Sequence, residues 1–330
     1  MELGGQGTTE GRQSRDESPV LGGPRTGADA HLEDQPSDAV TAVGEVRRAV
    51  PQKLTVVLPT RNEIDNLAAM VAALRGLSIP GVEVSVLVVD SESPDGTGDL
   101  ADQLAARDPG YVDVLHVPLE GLCRAYMLGF ARALEAGAEL LVQMDCDFSH
   151  DPEAIVQMVD TMREQRADVV IGSRWIDGGT VDKDWPMLRQ LLSRFANHLY
   201  VRGLMALPIA DATGGFRLWR RQALVGMDIG RRIGSKGYIF QVEMASLAYR
   251  LGYRLAEIPI AFGPRLTGES KLNAAIQIEA AWRVLLIRLG HLLLSPAQRT
   301  VDWHVQRREA ARDKKSPRLV RAATGSAVTP

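Results

Sequence analysis

Short apolar runs alternate with longer amphipathic stretches along the middle of the chain. The runs are rich in Val, Leu and Ile and predict β-strands, which cover Leu54–Leu58, Val82–Val89, Val112–Val117, Leu140–Met144 and Val169–Ile171. The stretches between them carry apolar residues at helical spacing and predict helices at Ile64–Leu74, Leu100–Arg107, Ala125–Glu135 and Ala154–Glu164. Alternating strands and helices form a mostly parallel sheet covered by helices on both faces. The pattern therefore predicts an α/β fold.

The two ends of the chain lack this alternation, which indicates where the folded domain begins and ends. Residues 1–52 are rich in Gly, Ser, Thr, Asp and Pro without a sustained period, and we predict a disordered extension there. The folded domain is expected at residues 53–273, with looser, glycine-containing loops after Asp168. An amphipathic helix is predicted at residues 274–295, followed by a disordered basic tail at residues 296–330.

Net charge and cysteine usage narrow the class of protein. The formal net charge of −3 at pH 7 argues against a general nucleic-acid binder, which usually shows a strong basic excess, so no nucleic-acid partner is expected. Cys123 and Cys146 are the only cysteines of the sequence and form neither a CxxC pair nor a zinc motif, which favours a reducing compartment. The N-terminus shows no signal-peptide pattern, so we expect a cytoplasmic protein.

The C-terminal end of the chain is the part that suits a membrane surface. From Arg299 to Pro330, eight Lys and Arg residues face three Asp and Glu residues, and this local charge of +5 would attract an anionic bilayer. A solvated tail explains the same charges equally well. In the predicted amphipathic helix, Glu279, Arg283 and Arg288 interrupt the apolar residues, so no transmembrane helix is expected. Its apolar face either packs on the domain or lies in the membrane interface, which would give peripheral association with the cytoplasmic face of the membrane.

Three of the predicted strands end in polar segments, at Pro59–Glu63, Asp90–Gly96 and Asp145–Asp147. Ligands of parallel sheets bind beyond the carboxyl ends of the strands, so we expect these segments to converge on one crevice. Asp145 and Asp147 supply two hard oxygen donors there, which suit Mg²⁺ or Mn²⁺ carrying a diphosphate. An isolated Asp-x-Asp pair is more often a solvated turn, and its position at a strand end is what favours a metal site.

Basic residues occur on several glycine-containing loops in the second half of the chain. A single Arg or Lys is usually a solvated surface charge. Several of them on glycine-containing loops favour clamps on phosphate groups, because Arg offers two parallel donors and Lys a mobile point charge. The residues concerned are Arg174, Arg217, Arg265 and Lys271 on the loops, with Arg189 and Arg194 on a predicted helix after Trp185.

Taken in chain order, a series of short motifs resembles those of the polyprenol (dolichol) phosphate mannose synthases. The motifs are PTRNE, SPDGTGD, GLCRAY, MDCDFSH, GSRWIDGG, TGGFR, GYIFQVE and GESK, and the resemblance covers residues 54–272. Those enzymes are family 2 glycosyltransferases with the GT-A fold, a Rossmann-like nucleotide-sugar-binding fold. The resemblance implies inverting, metal-dependent transfer of mannose from GDP-mannose to a polyprenyl monophosphate, which gives polyprenyl-phosphate-mannose.

The resemblance also implies roles for individual residues of this chain. Asp145, Asp147 and Ser149 would bind Mg²⁺ or Mn²⁺ against the diphosphate. Arg174 would act with the two aspartates in catalysis, and Arg189 and Arg194 would bind the acceptor phosphate. Contact with the nucleotide sugar is implied for Pro59, Arg61, Glu63, Val89, Asp90, Ser91, Asp145, Cys146, Asp147, Arg174, Arg265 and Lys271.

The acceptor and donor sites decide which reaction this chain performs. A phosphate monoester has lost most of its protons at neutral pH, since its second pKa is about 6, so a phosphate acceptor needs no catalytic base. Gln241 agrees with this, since it stands where related enzymes with sugar acceptors often carry an acid. At the donor site, Arg61, Ser91 and Cys123 replace the tyrosine, aspartate and glycine of the family. These changes leave open another sugar donor, a specialised acceptor or a non-catalytic regulatory role.

Overall fold

One mixed sheet runs through the part of the chain that the structure describes. The computed structural model describes residues 50–181, 203, 205–235, 237–263 and 274–300, except for the side chains of residue 238 and residues 274–282. In these ranges the sheet has seven strands, β1 (Gln52–Thr60), β2 (Val82–Asp90), β3 (Val112–His116), β4 (Leu140–Gln143), β5 (Val169–Ser173), β6 (Arg217–Arg220) and β7 (Leu255–Pro259).

Parallel pairing dominates the sheet, whose strands lie in the order β3-β2-β1-β4-β6-β5-β7. β1 lies between β2 and β4 and is parallel to both, and β3 extends the parallel part beyond β2. β6 is antiparallel to β4 and β5, and β7 pairs in parallel with β5. The predicted α/β fold with a mostly parallel sheet is confirmed.

The sequence pattern does not predict β6 or β7. β6 begins and ends with arginines, and Arg217 is fully buried although a charged residue normally marks a surface position. β7 alternates apolar and polar residues but ends at Pro259, which weakens the strand signal. The five predicted strands are present, although β3 and β4 each end one residue earlier than predicted, at His116 and Gln143.

Helices cover both faces of the sheet, and the four predicted ones are present. α2 begins at Thr97 rather than at Leu100, with Gly96 as its N-cap residue. In the turn before it, Oδ1 of Asp95 accepts the N–H and the hydroxyl of Thr97 at 3.0 and 2.6 Å. In the described ranges the α-helices are α1 (Ile64–Arg75), α2 (Thr97–Arg107), α3 (Leu122–Glu135), α4 (Ala154–Glu164), α5 (Arg221–Met227), α6 (Ile229–Arg232), α7 (Phe240–Arg250) and α8 (Ala274–His291).

The residues of β1 show how the sheet divides the core. Leu54, Val56 and Leu58 belong to the core between the sheet and helices α1, α2 and α4. Val57 belongs to the core on the opposite face, under α3, α7 and α8. Successive side chains of a strand point to opposite faces, so a strand covered on both sides carries a continuous apolar run.

The amphipathic helix predicted at residues 274–295 corresponds to α8, which ends at His291. Val284, Ile287 and His291 are buried, and His291 Nδ1 lies 3.0 Å from Ser246 Oγ on α7. This face of the helix packs on the domain, as one of the two interpretations expected. Helices long and apolar enough to cross a membrane are absent from the described ranges.

The opposite face of α8 and the turn after it expose leucines. The exposed fraction is 66% for Leu289 and 88% for Leu293, and about half for Leu286 and Leu292. Hydrophobic residues that stand singly on a surface are ordinary, but four leucines in one short segment form a patch. The structure thus places one face of this segment in the core and exposes the other.

The packed part of the chain continues past the predicted start of the basic tail. Arg299 Nε donates to the carbonyl oxygen of Leu251 at 2.7 Å, and Thr300 N–H donates to that of Gly226 at 2.9 Å. Both residues lie beyond residue 296, where the tail was predicted to begin, and hydrogen-bond to the folded domain. Residues 301–330, and most of the predicted N-terminal extension, lie outside the described residues.

Helix α3 approaches the sheet closely at Gly129. A Cβ atom on this glycine would lie 2.6 Å from Val57 Cγ1 and 2.9 Å from Val89 Cγ2, closer than carbon atoms pack. Both valines belong to strands in the middle of the parallel region, so they have little freedom to move aside. The absence of a side chain at Gly129 therefore lets α3 lie close to β1 and β2, the strands that end in the polar segments Pro59–Glu63 and Asp90–Gly96.

Gly129→Ala is expected to destabilise the protein. Overpacking costs about 1–3 kcal/mol and alanine recovers about 1 kcal/mol of helix propensity, so the free energy of unfolding should fall by up to about 2 kcal/mol. Gly290→Ala on α8 is the control, because a Cβ there meets nothing within 4 Å, and it should be neutral or stabilising. Urea unfolding followed by circular dichroism measures both. Equal effects of the two changes would mean that α3 can shift away from the sheet.

Candidate active site

The three polar strand ends lie side by side at one edge of the sheet. β1 pairs with β2 on one side and with β4 on the other, so the expected convergence is confirmed. The carbonyl oxygen of Thr60 accepts from Ser91 N–H at 3.1 Å, and Thr60 Oγ1 donates to Asp90 Oδ1 at 3.0 Å. These bonds join the ends of β1 and β2. In sheets of this kind the crevice beyond such strand ends binds nucleotides.

Asp90 shapes the turn that follows β2. The residue is buried, its Oδ1 accepts from Ser93 Oγ at 2.6 Å, and its Oδ2 accepts from Ser93 N–H at 3.1 Å. An aspartate that accepts hydrogen bonds from its own turn holds the backbone there in one conformation. The nucleotide contacts expected for Asp90 and Ser91 remain predictions, and they would be made on a turn whose shape Asp90 itself determines.

Arg61 ties the loop after β1 to the loop after β2. Its Nη1 donates to the carbonyl oxygen of Ser91 at 2.7 Å and to that of Glu92. Glu63 N–H donates to Thr97 Oγ1 at 2.9 Å, which adds a second connection between the two loops. The guanidinium at position 61 thus acts as a brace in this structure, and the nucleotide contacts of Arg61 and Glu63 stay predictions.

Pro59 and Val89 stand opposite each other in the register of β1 and β2. The side chain of Val89 is fully buried in the core, so a nucleotide can be contacted there only through the backbone. Pro59 is partly exposed at the same edge of the sheet. Both residues therefore lie at the border of the crevice, but neither offers a polar side chain to a ligand.

The segment after β4 brings two carboxylates together. Asp145 is partly exposed, and its Oδ1 accepts from the hydroxyl of Tyr126 at 3.0 Å. Asp147 is buried, and its Oδ1 accepts from the N–H of Ser149 at 3.0 Å. Cys146 between them is buried in the core, and burial raises the pKa of its thiol. The thiol therefore stays protonated, and the nucleotide contact predicted for Cys146 can involve its backbone only.

Asp145, Asp147 and Ser149 fit a divalent cation bound together with a diphosphate. Among the described residues, Ser149 Oγ is buried without a hydrogen-bond partner, which is costly for a hydroxyl unless a ligand completes it. The described ranges contain no group of three or more His, Cys, Asp or Glu side chains that could hold a metal ion by themselves. Mg²⁺ often uses one or two carboxylates and takes its other ligands from water and phosphate. The donor set after β4 suits that kind of binding.

Arg174, which directly follows β5, is held in a buried ion pair. Its Nε and Nη2 donate to the carboxylate of Asp211 at 2.7 and 2.9 Å, and Nη2 also donates to Thr213 Oγ1 at 2.9 Å. The side chain of Arg174 is 10% exposed and that of Asp211 is fully buried. Sequence reasoning expected Arg174 to add a positive charge to the site. The pair is neutral as a unit, and Nη1 is the nitrogen of the Arg174 guanidinium that takes no part in it.

Both partners of this pair stay charged inside the protein. Burial disfavours the carboxylate of Asp211, but the Arg174 guanidinium and several hydrogen bonds outweigh it and hold the pKa of Asp211 below its usual value. Burial also disfavours the charged form of Arg174, and Asp211 overcomes it and raises the pKa of Arg174. A buried ion pair of this geometry keeps its shape because neither charge can be left without the other.

A second buried arginine holds the same loop from the other side. Arg217 donates from Nε to the carbonyl oxygen of Gly214 at 3.0 Å, from Nη1 to that of Gln241 at 2.7 Å and from Nη2 to that of Ala212 at 2.6 Å. Burial lowers the pKa of Arg217 to about 10, with Asp211 opposing the fall, so the group is protonated at neutral pH. The expectation that Arg217 clamps phosphate is wrong, because its nitrogens all bind backbone carbonyls inside the protein.

Two residues of this site were not singled out by sequence reasoning. Tyr126 lies in the motif GLCRAY and Asp211 lies two residues before the motif TGGFR. The sequence alone does not show that their side chains contact Asp145 and Arg174, which are distant along the chain. Asp211 is buried as the partner of Arg174, and only the folded structure brings these two residues together. Four predicted site residues, Arg189, Arg194, Arg265 and Lys271, lie outside the described residues, and their roles stay predictions.

Comparisons of the sequence with known proteins agree on one family. A family model described as glycosyl transferase family 2 matches residues 55–226. An undecaprenyl-phosphate mannosyltransferase from Micrococcus luteus is 42% identical over 250 residues, which cover 72% of this chain and 99% of that protein. A polyprenol monophosphomannose synthase from Mycolicibacterium smegmatis is 42% identical over 234 residues, which cover 71% of this chain and 86% of that protein.

Solved structures with a similar fold include glucosyl-3-phosphoglycerate synthase from Mycobacterium tuberculosis. Its complex with Mn²⁺, uridine diphosphate and glucosyl-3-phosphoglycerate gives a TM-score of 0.51 at 16% identity, over 73% of this chain and 80% of that chain. Its complex with Mg²⁺ and uridine diphosphate gives 0.51 at 17% identity, over 73% and 79%. At this identity the likeness concerns the fold alone, and it confirms the predicted GT-A fold.

Asp211→Asn is expected to destabilise the folded protein strongly. Loss of one partner of a buried pair leaves Arg174 charged without its counter-ion, which lowers the free energy of unfolding by about 3–5 kcal/mol at neutral pH. Asp113→Asn is the control, because it breaks a pair with Arg132 in which both side chains are about half exposed, and such pairs contribute about 0–1 kcal/mol. Urea unfolding of the three proteins gives the comparison.

The difference between wild type and Asp211→Asn should also depend on pH. Folding lowers the pKa of Asp211, so its contribution to stability is complete above the usual aspartate value of 3.8 and is lost as the pH falls from there through the folded pKa. The two free energies of unfolding should therefore converge in acid. A constant difference that extends well below pH 3.8 would show that folding does not lower the pKa of Asp211.

Proposed function

The chain belongs to glycosyl transferase family 2 and is a glycosyltransferase, and from this premise we propose that it transfers mannose from GDP-mannose to a polyprenyl monophosphate. The two relatives at 42% identity, named for transfer to undecaprenyl phosphate and for synthesis of polyprenol monophosphomannose, support the sugar and the acceptor. In this structure the proposal rests on the donor set of Asp145, Asp147 and Ser149 at the end of β4. The product would be polyprenyl-phosphate-mannose.

A single displacement accounts for the proposed transfer. An oxygen of the acceptor phosphate forms a bond to the anomeric carbon of mannose while the bond from that carbon to the diphosphate breaks. GDP leaves with the bonding electrons, and attack from the opposite side inverts the anomeric carbon. Because a phosphate with a second pKa of about 6 has lost most of its protons at neutral pH, no side chain needs to remove one.

Residues of the crevice would divide the work as follows. Asp145, Asp147 and Ser149 would hold Mg²⁺ or Mn²⁺, which when bound supplies positive charge for the departing diphosphate. The Tyr126 hydroxyl keeps Asp145 in one orientation by donating to its Oδ1. Arg174 offers the Nη1 group that its pair with Asp211 leaves unused, and its fixed position lets it orient a ligand without adding net charge.

Peripheral association with the cytoplasmic face of a membrane is part of the proposal, because the acceptor is a lipid. The exposed leucines on α8 and in the turn after it support this, since their opposite face is anchored in the core. Such a surface suits a bilayer interface, where leucine side chains enter the acyl region and basic residues contact anionic head groups. The proposed partners are therefore GDP-mannose, a polyprenyl phosphate and the membrane that holds it.

The proposed function is tested with purified full-length protein, a divalent cation and a polyprenyl phosphate. Labelled GDP-mannose, UDP-glucose and UDP-GlcNAc are supplied separately, and product is counted in the organic phase. We expect product from GDP-mannose alone and none after chelation of the metal. Product from a UDP-sugar instead would reject the donor, and the Arg61, Ser91 and Cys123 changes would then mark another specificity. No product from any donor would favour a regulatory role.

Asp147→Ala is expected to lower kcat/KM by at least about 100-fold, because a metal ion contributes several kcal/mol to a leaving group of this kind. Asp145→Ala should have a large but smaller effect, since Asp145 is more exposed and shares its carboxylate with Tyr126. Asp160→Ala is the control, because that aspartate lies on the exposed side of α4, 3.8 Å from Arg163, and turnover should not change. Wild-type turnover of both site variants in saturating Mg²⁺ would contradict the metal assignment.

The double variant Leu289→Glu with Leu293→Glu is expected to bind anionic vesicles more weakly. Complete burial of a leucine contributes about 1.5–3 kcal/mol and partial burial in an interface less, so loss of two leucines together should lower the affinity by about tenfold or more. Val50→Glu is the control, because Val50 is 89% exposed and lies at the other end of the described chain. Vesicle sedimentation measures binding, and turnover on a short acceptor in detergent should remain near wild type. Unchanged vesicle affinity would contradict the membrane role of this surface.

A further inference from the structure

A buried chain of polar side chains leads from β6 to the crevice. The indole Nε1 of Trp219 donates to Oε1 of Gln143 at 3.4 Å, and Nε2 of Gln143 donates to Oε1 of Gln241 at 2.7 Å. All three residues are buried, on β6, β4 and α7 respectively. Gln143 is a polar residue in an otherwise apolar strand, and this chain explains its presence there.

Trp219 fixes the direction of the whole chain, because an indole N–H can donate a hydrogen bond but cannot accept one. Gln143 must therefore turn its oxygen toward Trp219 and its NH₂ group toward Gln241. Gln241 must in turn accept with its oxygen. The NH₂ group of Gln241 is then left to face away from Gln143, and reversing either amide would place two donors or two acceptors against each other.

The NH₂ group of Gln241 borders the same space as the carboxylate of Asp145. A Cβ atom on Gly215 would lie 3.5 Å from Gln241 Nε2 and 3.8 Å from Asp145 Oδ2, so the glycine leaves a gap between the two groups. The backbone of Gln241 is held as well, since its carbonyl oxygen accepts from Arg217 Nη1 at 2.7 Å. Both the position and the direction of this donor are therefore determined by buried partners.

The strand order indicates which substrate this donor would meet. The nucleotide-type strand ends of β1 and β2 lie on one side of β4, and β6 and β5 lie on the other. Gln241 reaches the crevice from the β6 side, through its contacts with Gln143 and Arg217. With the nucleotide over β1 and β2, as the proposed function requires, a ligand on the β6 side would approach Asp145 from the opposite direction. The acceptor must stand there for a displacement in line with the leaving group.

We propose that Gln241 Nε2 binds an oxygen of the acceptor phosphate, and that Gln143 and Trp219 are positioning residues which keep it a donor. The inference rests on the proposed function and deepens it. A neutral amide cannot remove a proton from a hydroxyl, so this position offers no base to a sugar or alcohol acceptor. It does offer a hydrogen bond to an oxyanion that enters the gap beside Asp145. The site therefore selects an acceptor that arrives already deprotonated.

Gln241→Glu in the full-length protein is the main test, because it keeps the shape and replaces the donor by a carboxylate. A lost charge-assisted hydrogen bond corresponds to about a tenfold to hundredfold fall in kcat/KM for polyprenyl phosphate, with the larger part in KM for the lipid. The affinity for GDP with Mn²⁺, measured by calorimetry, should change by less than about twofold. Gln165→Glu, an exposed change at the end of α4, is the control and should alter neither quantity.

The pH dependence of the variant separates a binding role from a structural one. A carboxyl group buried at position 241 has a raised pKa, because burial disfavours its charged form, and its protonated form can donate a hydrogen bond as the amide does. Relative to wild type, kcat/KM of Gln241→Glu should therefore recover as the pH is lowered from about 8 to about 5.5. Gln241→Met, which fills the space but cannot donate at any pH, should show the same loss without recovery, and it replaces Gln241→Glu if that variant does not fold.

Each result of these experiments supports or rejects the assignment. An unchanged kcat/KM for the lipid in both variants rejects it while leaving the proposed function intact, provided that wild type transfers sugar to the lipid. An equal fall in the affinity for GDP means that the amide contacts the donor instead, which also rejects it. If the wild-type protein transfers sugar to no polyprenyl phosphate, the proposed function is rejected. The assignment of Gln241 is then rejected as well, because it rests on that function. Trp219→Phe should reproduce the loss in a weaker form, since it removes the group that fixes the amide direction.

Discussion

A balance of buried charge holds one side of the crevice together. The backbone from Ala212 to Gly214 lies between Arg174 and Arg217, and Asp211 at its start compensates the first of these arginines. Removing one charge of a buried pair leaves the other uncompensated, so the loop and the pair depend on each other. Arg217 needs no carboxylate in direct contact, because carbonyl oxygens accept from each of its nitrogens. The loop can therefore consist of small residues that leave room for substrates and still keep one shape.

The other side of the crevice, after β1 and β2, is held by hydrogen bonds near the surface instead. Arg61 donates to backbone carbonyls of the neighbouring loop, and Glu63 N–H donates to Thr97 Oγ1. Regions held by partly exposed hydrogen bonds open at a lower free energy than regions held by buried contacts. The difference suits a transferase, since the nucleotide must enter and leave in every cycle. The reacting atoms, in contrast, must be aligned within narrow limits, and the rigid side provides that alignment.

Local patterns of the sequence predict most of the sheet and the position of the crevice, but not the contacts that shape the site. The five predicted strands and four helices carry their signal in their own apolar spacing, so no long-range information was needed. β6 is different, because one of the carbonyl groups that accept from the buried Arg217 belongs to Gln241, 24 residues further along the chain. The same is true of Asp211, whose partner Arg174 is distant in sequence. The carboxylates after β4 were found because a strand end and an acidic pair occur together, whereas the brace made by Arg61 had no local signal.

Helix α7 connects the acceptor side of the crevice to the surface proposed to meet the membrane. Gln241 lies in its first turn, and Ser246, five residues later, contacts His291 of α8. At a rise of about 1.5 Å per residue these two contacts are separated by about 7–8 Å along the helix axis. The exposed leucines of α8 therefore belong to a helix that packs directly against α7. Helix α7 carries Gln241, the proposed hydrogen-bond donor to the acceptor phosphate. The surface proposed to meet the membrane and the amide proposed to bind the acceptor phosphate are thus connected by the packing of α8 on α7.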